Sequence, residues 1–169
     1  MFLKIVQSVR NLSVRSMSSK DIGIIGVPFD KGAGKKGMNH GPNALRKAGL
    51  IEDLQSISKK INIKDYGNIE YEIIKPSGRK IDNLKELGHV ASCNKKLTHK
   101  IEEILNDNRM PITLGGDHSI AIGSISGHLT KVPAENLAVL WVDAHIDLNT
   151  NSTSPSGNMH GKYTRIYKQ

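Results

Sequence analysis

The sequence predicts an α/β fold, a parallel sheet with flanking helices. Two observations predict it. From residue 21 onward, short runs rich in β-branched residues alternate with longer stretches of helical periodicity. The most polar and glycine-dense clusters then follow directly after those runs, where the carboxyl ends of parallel strands gather ligands.

The elements follow in order. Asp21-Ile-Gly-Ile-Ile-Gly-Val27 is a compact apolar run bounded by polar residues and reads as a buried strand. A glycine-dense loop extends from Pro28 to Gly41. Pro42 suits a first helical position, and Ala44, Leu45, Ala48, Leu50, Ile51, Leu54 and Ile57 carry a helical repeat. Ile61–Asp65 is a second strand, and Pro76-Ser-Gly78 is a turn signal within an aperiodic stretch. Leu84 to Leu105 is amphipathic over one helix or two. Ile112-Thr-Leu114 is a short strand that ends in two glycines. Ser119 to His128 reads as a helix, weakened by Gly123 and Gly127. Leu137-Ala-Val-Leu-Trp-Val142 is the strongest strand signal and is expected to extend the parallel sheet.

With 169 residues the chain suits one domain with a sizeable core, and its single cysteine, Cys93, excludes an internal disulfide framework. No apolar run approaches the length that spans a bilayer. The net charge of +8 is concentrated at the ends. Residues 1–20 hold four basic residues and no acid, and residues 162–169 hold three basic residues and no acid. Between them, 17 basic and 16 acidic residues nearly cancel. A nucleic-acid surface gathers its cations on the folded body, so neither nucleic acid nor membrane is the expected partner. Residues 1–20 are also serine-rich, with Phe2, Leu3, Val6 and Val9 spaced as on one helical face. That is the composition of a mitochondrial transit peptide, which places the expected domain at 21–161 with a basic tail at 162–169.

Three clusters carry chemistry. Asp143-Ala-His-Ile-Asp147 follows the strongest strand run, and in extended backbone Asp143 and His145 share a face, with Asp147 joining after a slight bend. Two carboxylates and an imidazole suit a divalent cation such as Mn²⁺. Gly115-Gly-Asp-His-Ser119 ends another strand and offers His118 as a further nitrogen ligand. Its Asp117 either orients a metal-bound histidine or caps the next helix. Ser156-Gly-Asn-Met-His160-Gly161 supplies a hydroxyl, an amide and an imidazole suited to a polar substrate, with His160 able to shuttle protons near neutral pH. His40, His89, His99 and His128 lack such context and read as surface or helix residues. Gly32-Ala-Gly-Lys-Lys-Gly37 is not a nucleotide loop, because Phe29 and Lys36 stand where the motif needs Gly and Ser or Thr.

Taken in order, Gly26-Val-Pro-Phe29, His40-Gly-Pro42, Gly115–Ser119, Asp143–Asp147 and Ser156–Gly161 make residues 21–161 resemble the N-terminal portion of arginases. The metal motifs are shared with the wider ureohydrolase family, agmatinases included, whereas Asn149 with the Ser156–Gly161 loop is arginase-like. The resemblance implies the arginase/deacetylase-like α/β fold, incomplete on its C-terminal side. It implies hydrolysis of L-arginine to L-ornithine and urea with two Mn²⁺ ions, as in arginine catabolism and the urea cycle. His118, Asp143 and Asp147 would hold one ion, while Asp143 and His145 would hold the second, with Asp143 bridging. Asn149, Ser156 and Asn158 would grip the amino-acid end of the substrate, and His160 would move protons. The family's later Asp-x-Asp motif has no counterpart here, and no Asp or Glu follows Asp147. The second ion is thus left with two protein ligands. The alternative expectation is a non-catalytic, shortened form that associates with full-length arginase subunits; the partners expected besides L-arginine are further copies in a homo-oligomer or full-length arginase.

Overall fold

The computed structural model describes residues 4–7, 21–72, 86–145, 147 and 158. Among them run β1 (Lys4–Gln7), β2 (Ile22–Gly26), α1 (Gly41–Lys47), α2 (Leu50–Ile57), β3 (Ile63–Asn68), α3 (Leu87–Asn106), β4 (Met110–Leu114), α4 (Ala121–Leu129) and β5 (Leu137–Leu140). A three-stranded sheet has the order β3-β2-β4, parallel throughout, with Ile22 of β2 opposite both Ile63 and Met110. This is the parallel sheet with flanking helices that the alternating runs predict.

All five residues of β2 are buried. Its side chains alternate between two cores, as the pleat requires. Ile22 and Ile24 join Leu114 on the face covered by Leu50, Ile51 and Leu54 of α2. Ile25, with Val27 and Phe29 just beyond the strand, packs on Val90, Cys93, Leu97, Ile101 and Ile104 of α3. The spacing of those α3 residues is one stripe of a helix, and it confirms one continuous helix over this stretch. Truncating a fully buried residue such as Ile101 to alanine removes contacts worth about 2–5 kcal/mol.

Two glycines that weaken the sequence signal for α4 turn out to be what seats it. A Cβ on Gly123 would lie 2.7 Å from the Asn94 carbonyl oxygen, and one on Gly127 would lie 2.9 Å from the Thr98 carbonyl oxygen. The helix therefore rests directly on the backbone of α3. The Asn94 side chain completes the joint by accepting from Gly123 N–H at 2.6 Å and donating to Val90 O.

Three expectations are corrected. The helical repeat over 44–57 is two helices, because Gly49 takes a positive φ of 88° between them. The second strand starts two residues later than its apolar run suggests, at Ile63, and β2 and β3 slip register between Ile24 and Gly26. The largest change concerns Leu137–Leu140, which pairs antiparallel with Lys4–Gln7 in a separate two-stranded sheet. Lys4–Gln7 is itself extended rather than helical. Backbone donors and acceptors are the same in every residue but proline, so strand propensity does not name the partner. Residues 73–85, which include the Pro76-Ser-Gly78 turn, lie outside the described residues. No helix among the described residues is long and apolar enough to cross a membrane.

His128, on α4, donates from Nδ1 to the Ser124 carbonyl at 2.8 Å. Burial pushes its imidazole below the ordinary 6.5, against the opposing effect of that hydrogen bond. The unfolded chain thus takes up the proton first as pH falls. The stability contributed by neutral His128 is complete above pH 6.5 and is lost as pH drops through the depressed folded value. Urea denaturation between pH 7.5 and 5 should show a falling midpoint, and His128→Gln should flatten that slope.

Candidate metal centre

The sheet brings two loops together. β2 and β4 are adjacent and parallel, so their carboxyl ends open on the same edge. There Val27 N–H donates to Leu114 O at 2.8 Å, and Asp117 N–H donates to Phe29 O at 2.9 Å. The Gly115-Gly116 pair permits this approach, since a Cβ on Gly116 would sit 2.8 Å from Val27 O. His118 then opens a short 3-10 turn, His118–Ile120, ahead of α4.

The chain returns to this edge after α4 and β5. Asp143, Ala144 and His145 form a bend rather than continuing the strand, and Asp147 has a positive φ of 47°. Asp143 and Asp147 converge on His118. Its Nδ1 lies 3.2 Å from Asp147 Oδ2 and 3.5 Å from Asp143 Oδ2, and ligand atoms of all three residues lie within 4.8 Å of one another. The two carboxylate side chains are 10% and 12% exposed. The Trp141 ring meets the imidazole edge-on, with centroids 5.8 Å apart, and is itself packed on Ala121 and Ile125 of α4.

These separations fit one divalent cation. Oxygen-type bonds of roughly 2.1 Å in octahedral geometry put adjacent ligand atoms about 3 Å apart. Two carboxylates and one imidazole are also the donor set that hard-to-borderline cations accept. His145 lies outside this group. Its side chain is 82% exposed, with Nδ1 3.8 Å from Asp143 Oδ1. It contributes through its backbone instead, donating N–H to Asp143 Oδ1 at 3.1 Å. That bond is the main reason the Asp143 carboxyl is held below the usual carboxylate range, with the nearby imidazole of His118 acting the same way and burial opposing both.

Asp117 takes the capping alternative and more. Its carboxylate accepts from Ser119 N–H at 2.9 Å and from the Ser119 hydroxyl at 2.5 Å, closing the turn that carries His118. It also accepts from Gly32 N–H at 2.7 Å, across 85 residues of sequence. Asn158, partly buried, donates to Ala33 O at 3.3 Å. The glycine-dense loop over 30–37 is thus tied to the residue that precedes His118 and to Asn158, a placement its sequence alone does not reveal. Asn149, Ser156 and His160 lie outside the described residues. His89, His99 and His128 sit on α3 and α4, and His40 on an exposed 3-10 turn, as their sequence context suggests.

The arginase family model matches residues 20–169. This chain belongs to the arginase family. It is 45% identical over 147 residues to arginase-1 of Oryctolagus cuniculus, a match covering 87% of this chain and 44% of that protein. Among solved structures, it superposes on arginase from Bacillus cereus with a TM-score of 0.74 at 43% identity, over 86% of this chain and 46% of that one. On the Entamoeba histolytica arginase in complex with L-ornithine, the TM-score is 0.66 at 32% identity, over 88% and 50%. The chain spans less than half the length of the arginase relative it matches, and its three-stranded parallel sheet corresponds to a part of the arginase fold.

If the three converging side chains form the cation site, their removal is unequal in effect to that of His145. His118→Ala and Asp147→Ala should each weaken binding of the first Mn²⁺ by at least about tenfold. His145→Ala should leave that first event nearly unchanged. Isothermal titration of the chain with MnCl₂ measures both.

Proposed function

We propose that this chain carries the N-terminal half of the site of a Mn²⁺-dependent enzyme that hydrolyses L-arginine to L-ornithine and urea. The observation that carries this reading is the convergence of His118, Asp143 and Asp147, at 3.2 and 3.5 Å, in a chain of the arginase family. The two carboxylates and the imidazole would hold a divalent cation, with Mn²⁺ favoured by the mixed oxygen and nitrogen donors. A bound cation supplies Lewis acidity and an acidified water for attack on a guanidinium carbon.

The remaining groups are the chain's own contribution. Asp143 is ionised in neutral solution as any ordinary carboxylate is, and the His145 N–H and His118 favour that form further, so it keeps its ligating form into more acidic solution. Trp141 restrains the His118 ring from one side. Asn158, set against the 30–37 loop, would hold the amino-acid end of the substrate together with Asn149 and Ser156, and His160 would move the proton to the departing nitrogen. The bound L-ornithine of the Entamoeba histolytica relative is in keeping with an amino-acid substrate. His145 would join Asp143 at a second cation, which needs further carboxylates to be held firmly. Residues 1–20 would direct the protein to mitochondria.

A second reading, in which the chain binds longer arginase subunits without turnover, is favoured by Val139, Leu140 and Val142, residues 41%, 55% and 58% exposed in and just after β5, in the stretch that leads to Asp143. One experiment addresses both. Urea release by the Mn²⁺-loaded chain is measured with L-arginine and with agmatine, using Asp143→Ala as control. Slow release from arginine that the substitution abolishes is the expected result. Release from agmatine alone would replace the arginine reading. A folded, Mn²⁺-binding chain that releases no urea would move the conclusion to the second reading.

A further inference from the structure

Asp117 is 1% exposed, and its carboxylate accepts hydrogen bonds from Ser119 and Gly32. Its hydrogen bonds exceed what a helix cap needs. Capping the His118–Ile120 turn takes only the local bonds to Ser119, both made through Oδ1. The second oxygen, Oδ2, is committed elsewhere, to the N–H of Gly32 in the 30–37 loop. Gly32 is buried, and a Cβ there would fall 2.6 Å from Asp117 Oδ1, so the loop lies hard against this carboxylate. The next residue of that loop, Ala33, receives Asn158 on its carbonyl. His118, Asp117, Gly32, Ala33 and Asn158 therefore form one connected path. It runs from the converging carboxylates at one end to an amide of the polar loop at the other.

We infer that Asp117 is a positioning residue that clips the 30–37 loop to the His118 turn, so that cation binding and the order of that loop rise and fall together. The inference rests on the proposed cation site and assigns that site a coupling between its two ends. The physical reason is the shared carboxylate. Fixing His118 in a metal complex restrains the 117–119 turn, which restrains Oδ2, which holds Gly32. Linkage makes the effect reciprocal, so freeing Gly32 must weaken cation binding by the same factor. A carboxylate that only capped the turn would transmit nothing to a residue 85 positions away.

The test uses the full chain, with MnCl₂ as the probe, and reads two quantities: Mn²⁺ affinity by calorimetry and hydrogen exchange at the Gly32 amide. In the unaltered chain, saturating Mn²⁺ is expected to slow Gly32 exchange at least several-fold. Asp117→Asn is expected to lower Mn²⁺ affinity about tenfold, the low end of the range for groups that bond a metal ligand directly, because Asp117 acts on His118 only through the turn. It should also abolish the Mn²⁺ effect on Gly32, while amides of the core, such as Ile24 and Ile101, keep their protection. Gly32→Ala leaves His118, Asp143 and Asp147 unaltered but sets a methyl against Asp117 Oδ1, so it parts the loop from the turn and should lower the affinity in the same direction. It covers the case in which Asp117→Asn does not fold. Mn²⁺ binding with Gly32 exchange unchanged would overturn the coupling. So would an affinity unaltered in Gly32→Ala. A chain that binds no Mn²⁺ would instead remove the cation site on which the inference stands.

Discussion

All five residues of β2 are shut away from solvent, and a strand in that position satisfies its backbone only by pairing along both edges. β3 and β4 supply those edges, and both run parallel to it. Parallel neighbours require crossovers, so the chain must pass over the sheet between them, and α2 and α3 cover its two faces. The same constraint brings the carboxyl ends of β2 and β4 side by side. The loop after one strand meets the loop after the other, and the carbonyl of Phe29 and the amide of Asp117 are already joined there. The site is thus a consequence of how a doubly buried strand finds its partners.

What gathers at that edge is electrostatically demanding. Asp143 and Asp147 hold two carboxylates near one imidazole with little solvent access, and Asp117 adds a third, fully buried. The two environments differ in kind. Asp117 has three hydrogen-bond donors from Gly32 and Ser119 and is a structural tie. Asp143 has the His145 N–H on one oxygen and faces His118 with the other. That second arrangement leaves lone pairs directed at a shared point, which is the condition for holding a cation rather than bracing a loop.

The alternation of apolar runs made the sheet and its helices legible, because burial on two faces leaves a continuous apolar strand and burial on one leaves a helical stripe. Ile22–Gly26 and the Val90–Ile104 stripe are read from sequence nearly as they stand. The spacing around Asp143 pointed to Asp147 as a companion, but it paired Asp143 with His145 through an extended strand, and the bend the structure has there leaves His145 outside the cluster. Other features were hidden. Gly123 and Gly127 count against a helix by propensity, yet they allow α4 to lie on the α3 backbone. The loop that holds Gly32–Gly37, whose glycines and lysines do not make a nucleotide motif, is tied to Asp117 through one backbone N–H that no side chain announces.

The sequence by itself determined the central strands β2 and β4, the apolar faces of α2 and α3 and the residue chemistry of the site, since these depend on periodicity and on which side chains stand after which runs. The tertiary structure alone decided pairing and convergence. It set β5 against β1 rather than β4, because backbone hydrogen-bonding groups carry no record of their partner. It also placed His118 within 3.5 Å of carboxylates 25 and 29 residues away, and Asp117 on Gly32 across 85. Such contacts are set by the packing of whole layers, which no local stretch of sequence encodes.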